Sequence, residues 1–241
     1  MELHEQLREY LNCPCRYFPA SVGEQPILDA YWAARKRGER EGFVPILVAA
    51  EDATLMECLN FLEGDSPAEY RKKMLSAQVR DGGDLFKELT ELRKAEAEED
   101  GFAWDDELIG EMEGGGVQDR FAGISSFRGG TIPLLLAEIP VAHPWEVFAW
   151  LPFGGWNECP DTPELMAAAK WWYGKHGAVP AVITHDVLEF SVPAPVNRES
   201  AMELALEQFA LCPDIVYQGC QSVGVLADGL SKTTTWLFWW D

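Results

Sequence analysis

The chain has 241 residues, 47% of them hydrophobic, enough to bury a sizeable core as one large domain or two small ones. Lys and Arg total 19 against 40 Asp and Glu, a formal charge of -21. So acidic a surface repels nucleic acid and anionic membranes, because binding either needs net positive contact, and it suits a basic protein partner.

No apolar run approaches the roughly 20 residues of a membrane span. The start, Met1-Glu2-Leu3-His4-Glu5-Gln6-Leu7-Arg8, is charged and amphipathic and has none of a signal peptide's apolar core. Six scattered cysteines without a regular framework point to a reducing cytoplasm.

Leu3, Leu7, Tyr10 and Leu11 recur at helical spacing, and this first helix stops before Cys13-Pro14-Cys15. A second helix runs from about Pro26, with Ile27, Ala30, Tyr31 and Ala34 on one face, cations towards its end, and Gly42 closing it. Phe43 to Ala49 reads as a short buried strand. Thr54-Leu55-Met56-Glu57 and Ser66-Pro67-Ala68-Glu69 are capping boxes opening two further helices, and another starts near Asp84. From Glu96 to Glu113 there are nine acidic residues and no basic one, followed by Gly114-Gly115-Gly116. This stretch reads as a mobile, solvated connection; it lacks the Asp/Asn-with-glycine loop of a calcium site.

Thr131 to Ile139 is a continuous apolar strand, and His143 to Pro160 an aromatic segment ending in a glycine turn. Thr162-Pro163-Glu164 opens a helix closed by Gly174 and Gly177. Ala181–Thr184 and Val187–Val192 form a hairpin around His185-Asp186, with Leu188, Phe190 and Val192 facing one way and Glu189 and Ser191 the other. Helices from Asn197 and around Val223–Leu230 precede the closing Thr233-Thr234-Thr235-Trp236-Leu237-Phe238-Trp239-Trp240-Asp241. As a strand this stretch is apolar on both faces, which predicts an interior position covered on both sides. The expected fold is α+β, a mixed, largely antiparallel sheet with helices packed around it and a ferredoxin-like βαββαβ order in the C-terminal half. Residues 1–116 are expected to be a mostly helical region packing on the sheet, and 117–241 an α+β domain.

Three stretches then carry a resemblance: Trp145-Glu146-Val147-Phe148-Ala149-Trp150-Leu151 with Phe153-Gly154-Gly155-Trp156-Asn157-Glu158-Cys159-Pro160; Glu207 to Val216 with Gln218-Gly219; and the closing Phe238-Trp239-Trp240-Asp241. In this order they resemble the bacterial domain-of-unknown-function family 4253, over roughly Leu134 to Asp241. The resemblance implies a bacterial origin and a real C-terminal domain. It implies no activity and carries over no catalytic residue.

Gly154, Gly155, Trp156 and Asn157 suggest a loop where backbone approaches a ligand and an aromatic stacks on it, with Gln218 a further ligand contact; the competing reading is a tight turn with Trp156 in the core. Cys13, Cys15, Cys159 and Cys212 could supply thiolates to a metal with His176 or His185, but paired zinc-ligand spacings are missing, so no metal and no cofactor are expected. His185, Glu189, Asp214 and Asp241 would make a carboxylate-rich acid-base site if their elements converge. The chain has no Gly-x-Ser-x-Gly elbow, phosphate loop, His-Glu-x-x-His or dinucleotide fingerprint. The leading expectation is a non-catalytic binding or interaction protein, in its sharper form an immunity-type protein that neutralises a basic partner. The alternatives are a hydrolase-like or metal-assisted enzyme and a small-ligand sensor.

Overall fold

A computed structural model describes the chain except Met1, Ser21, Phe102, Phe127 and Arg128, and except the side chains of Asp100, Asp105, Asp106 and Glu107. The first half comprises α1 (Leu3–Leu11), β1 (Cys15–Phe18), α2 (Glu24–Glu41), β2 (Val44–Ala49), α3 (Asp52–Asn60), α4 (Pro67–Ser76), α5 (Gly82–Asp100) and a π-helical turn (Trp104–Ile109). The second comprises β3 (Leu134–Ile139), a 3-10 helix (Pro144–Ala149), α6 (Thr162–His176), β4 (Val179–Ile183), β5 (Val187–Ser191), α7 (Arg198–Leu211), a π-helical turn (Ile215–Cys220), α8 (Val223–Leu230) and β6 (Thr235–Trp239).

Local chemistry sets several helix starts. At α4 the Glu69 N–H donates to Ser66 Oγ, and the Ser66 N–H donates back to Glu69 at 2.9 Å. Asp161 caps α6 and Asn197 caps α7 in the same way, each side chain accepting a first-turn N–H that would otherwise lack a partner. The box at Thr54 is a correction. α3 begins earlier, with Glu51 at its N-cap, and Thr54 is buried inside the helix. The chain leaves β2 and turns at once, so Asp52 supplies the negative charge of the first turn.

The sheet order is β1-β3-β2-β4-β5-β6, with every neighbouring pair antiparallel except β2 and β4. The second half does run strand, helix, strand, strand, helix, strand, but its strands do not pair in the ferredoxin-like manner. β2, buried at all six residues, sits between β3 and β4, while β4, β5 and β6 form a meander. β1 has no counterpart in the sequence reading, because four residues after a proline show no usable period.

The sheet separates two cores. On one face Val44, Ile46 and Val48 of β2 join Leu188 and Phe190 of β5 and Trp236 and Phe238 of β6, under α1 and α3 to α8. Trp172 of α6 is the centre of this layer, stacked on Phe238 at 5.4 Å and edge-on to Trp236 at 5.8 Å. On the other face Leu47 meets Leu134, Leu136, Ala181 and Val182, covered by Ile27, Tyr31 and Ala34 of α2. Ala181 and Val182 share that face because the β4–β5 register shifts between Pro180 and Val182.

Two expectations are corrected here. β6 is an edge strand, not an interior one: Trp236, Phe238 and Trp240 are buried, but Leu237 and Trp239 on its other face are only partly covered. The acidic stretch is not a free connection. α5 extends through it to Asp100, Leu108 is buried, and the Gly115 N–H donates to Asp228 of α8 at 2.8 Å. A Cβ on Gly115 would overlap Gly229 N and Val225 O, so only glycine lets this backbone lie on α8. Of the acidic run, the side chains of Asp100, Asp105, Asp106 and Glu107 lie outside the described residues. Among the described residues no helix is long and apolar enough to cross a membrane.

Candidate functional site: a cleft beside the last strand

α2 covers the second face of the sheet only over its central strands. Beyond β4 the covering is a loop, residues 117–126, whose Phe121 meets Tyr31 edge-on at 5.5 Å and whose Ile124 is fully buried. This loop is pinned at several points. Thr233 donates through Oγ1 to Gln118 O, the Thr234 N–H donates to Asp119 Oδ1 at 3.0 Å, and the N–H groups of Ala122 and Gly123 donate to the Glu189 carboxylate at 2.7 and 3.0 Å.

Between the loop, the β4–β5 hairpin and β6 lies a cleft of about 1090 Å³. Leu237, Trp239 and Val187 give it an apolar side, while Glu24, Glu51, Asp119 and Asp186 bring four carboxylates to it. Arg120 is the one Lys or Arg among the described lining residues. Carboxylates and apolar side chains lining one cleft suit a ligand that pairs a cation with an apolar stem.

Glu189 lies beneath the wall. It has no exposed surface, and burial pushes its carboxyl up to about 7, against the two backbone N–H bonds that favour the charged form. A Cβ on Gly123 would stand 3.2 Å from Glu189 Oε2, so the loop is seated directly on this carboxylate.

The candidates of the sequence reading divide among separate places. His185 lines the cleft at the hairpin tip, with Nδ1 3.4 Å from Asp186. That tip is organised internally: Thr184 Oγ1 donates to Asp186 Oδ1 at 2.7 Å and accepts the Val187 N–H at 2.9 Å. Asp214, Gln218 and Asp241 do come together, Gln218 Nε2 donating to Asp214 Oδ1 at 3.0 Å and the Asp241 N–H to Asp214 Oδ2 at 3.2 Å. They tie the chain end to the turn after α7 and do not line the cleft, although neighbouring Gly219 packs under Trp239.

Gly154, Gly155, Trp156 and Asn157 form a tight turn on the helical side. Gly155 N–H donates to Cys159 O, and Cys159 N–H returns to Trp156 O, both at 2.8 Å. Trp156 Nε1 donates to Glu57 of α3 at 2.5 Å, and the ring packs against the first core. Cys159 and Cys212 are buried; burial raises both thiols, Cys212 to about 12. Glu24, Glu51, Asp119 and Arg120 belong to no sequence motif, and Trp239 stands out only as part of the closing strand. The available signal was a last strand apolar on both faces, which at a sheet edge leaves one apolar face for something else to cover.

Residues 135–241 match the family model described as Domain of unknown function (DUF4253), so the C-terminal part of the chain resembles that family. No curated protein and no solved structure matches the chain.

Proposed function

We propose that the protein is a non-catalytic binding protein whose cleft beside β6 receives a basic segment of a protein partner. The single observation carrying this reading is the composition of the cleft, whose lining includes Glu24, Glu51, Asp119 and Asp186 together with Leu237 and Trp239. An arginine or lysine side chain matches it, its stem on the apolar side and its charge at the carboxylates. The overall charge of -21 favours encounter with a cationic partner before any contact forms. In its sharper form the proposal is an immunity-type protein that neutralises a basic partner in a bacterial, reducing cytoplasm.

An acidic protein attracts polycations anywhere on its surface, so the test compares equal charge changes at two places. A short arginine-rich peptide is titrated calorimetrically into the full chain at low and moderate salt. Glu24→Gln with Glu51→Gln removes two cleft charges, while Glu98→Gln with Glu99→Gln removes two from the exposed side of α5. The expected result is about a tenfold or greater loss of affinity for the cleft pair and less than about threefold for the remote pair. Equal losses, or no binding by the unaltered chain, count against the reading.

A further inference from the structure

Cys13 and Cys15 flank Pro14 where α1 hands over to β1. Asn12 ends α1 in the left-handed region at φ 48°, and β1 starts at Cys15 opposite Ala137. The Glu138 N–H donates to Pro14 O at 2.9 Å, and the proline ring fixes its own φ, so the backbone between the two cysteines is held at both ends. Their Sγ atoms stand 3.9 Å apart, and a protonated Cys15 donates to Cys13 O at 3.4 Å. Both residues are partly exposed, as is Cys220, whereas Cys58, Cys159 and Cys212 are buried.

The surroundings make the two thiols unequal. The hydrogen bond from Cys13 lowers the Cys15 thiol below the ordinary cysteine range, with help from Arg8 and against burial and Glu138. The same bond and burial raise Cys13, with Arg71 opposing. A thiolate-forming cysteine with access to solvent, beside a protonated neighbour within reach, has the parts of an attacking and a resolving thiol.

We propose that Cys13 and Cys15 form a redox-active dithiol that exchanges with small disulfides of the glutathione type. The Cys15 thiolate attacks one sulfur of the glutathione disulfide; that S–S bond breaks, and one glutathione leaves as a thiolate and takes a proton. Cys13 then gives its proton to solvent and attacks Cys15 Sγ, expelling the second glutathione. The two cysteines lose two electrons together and the glutathione disulfide gains them. Bonding needs the sulfurs to close from 3.9 Å to about 2.05 Å.

The full chain is equilibrated in glutathione buffers of increasing oxidised fraction, quenched by alkylation, and mapped by peptide mass. The expected product is a Cys13–Cys15 disulfide, with Cys58, Cys159, Cys212 and Cys220 alkylated as thiols when the quench is made in denaturant. Cys13→Ser should trap glutathione on Cys15 about tenfold more than Cys15→Ser traps it on Cys13. Unaltered protein that never forms the Cys13–Cys15 disulfide overturns the proposal whether or not the variants fold. Equal trapping in the two variants overturns the assignment of Cys15 as the attacking thiol.

Discussion

The Glu189 carboxylate accepts the backbone N–H of Ala122 at 2.7 Å, so a side chain of the sheet holds the wall of the cleft from behind. A carboxyl raised to about 7 from its ordinary 4.5 contributes stability that is fully present below pH 4.5 and is lost as pH rises through 7. Between pH 5 and pH 8 this group should cost the fold roughly 2–3 kcal/mol. Glu189→Gln should remove that slope while losing one of the two backbone bonds. Urea unfolding of both proteins at the two pH values checks it; parallel pH dependences sink the idea.

Glu207 joins two tryptophans and a lysine: Trp171 and Trp172 each donate through Nε1 at 2.8 Å, and Lys175 lies 3.1 Å away. The Trp172 indole is fully buried, so Glu207→Ala strands its N–H. The expected loss is about 1–3 kcal/mol. In a double-mutant cycle with Trp172→Phe, which removes the stranded donor, the two losses should be less than additive. Full additivity would show that the bond contributes nothing.

Gly154 has φ 88°, and a Cβ there would overlap Pro160 O. Gly154→Ala should therefore destabilise the fold by about 3 kcal/mol or more, from the left-handed backbone and the displaced turn together. Trp156→Phe, which loses the bond to Glu57 and part of the ring's packing, should cost about 1–2 kcal/mol. Both should leave cationic-peptide affinity per folded molecule unchanged, because this turn lies outside the cleft. A selective loss of that affinity would return the turn to the list of ligand contacts.

Asp228 is held well below the usual carboxylate range, at about 2, by Lys232 first and then by the Gly115 N–H and Arg198. Its stabilising contribution is present above the unfolded value of 3.8 and is lost as pH falls towards 2. Asp228→Asn should shift the acid unfolding midpoint upwards and speed hydrogen exchange at the Gly115 amide. Unchanged exchange would mean that packing on α8, and not this carboxylate, holds the acidic stretch in place.

Helix starts at Ser66, Thr162 and Asn197 could be read from the sequence because capping is a contact between near neighbours. So could the two-faced apolar character of Trp236 to Trp240. Its position could not, since an edge strand with a partly open face and an interior strand with two covered faces share one pattern. The docking of the acidic stretch is hidden from the sequence for a different reason. Its anchor, Asp228, lies 113 residues from Gly115, beyond any local rule. The same distance hid the cleft, whose carboxylates come from α2, the start of α3, the covering loop and the β4–β5 hairpin.

The central position of β2 has a consequence during synthesis. All six of its residues are buried in the finished protein, yet β3 begins 85 residues after β2 ends, and β4 later still. At about 5–20 residues per second on the ribosome, β2 waits roughly 4–17 seconds for its first strand partner. A short, wholly apolar strand with two open hydrogen-bonding edges is a sticky intermediate for that time. The nascent chain, more than the finished protein, is where this fold is most exposed to aggregation and most in need of a chaperone.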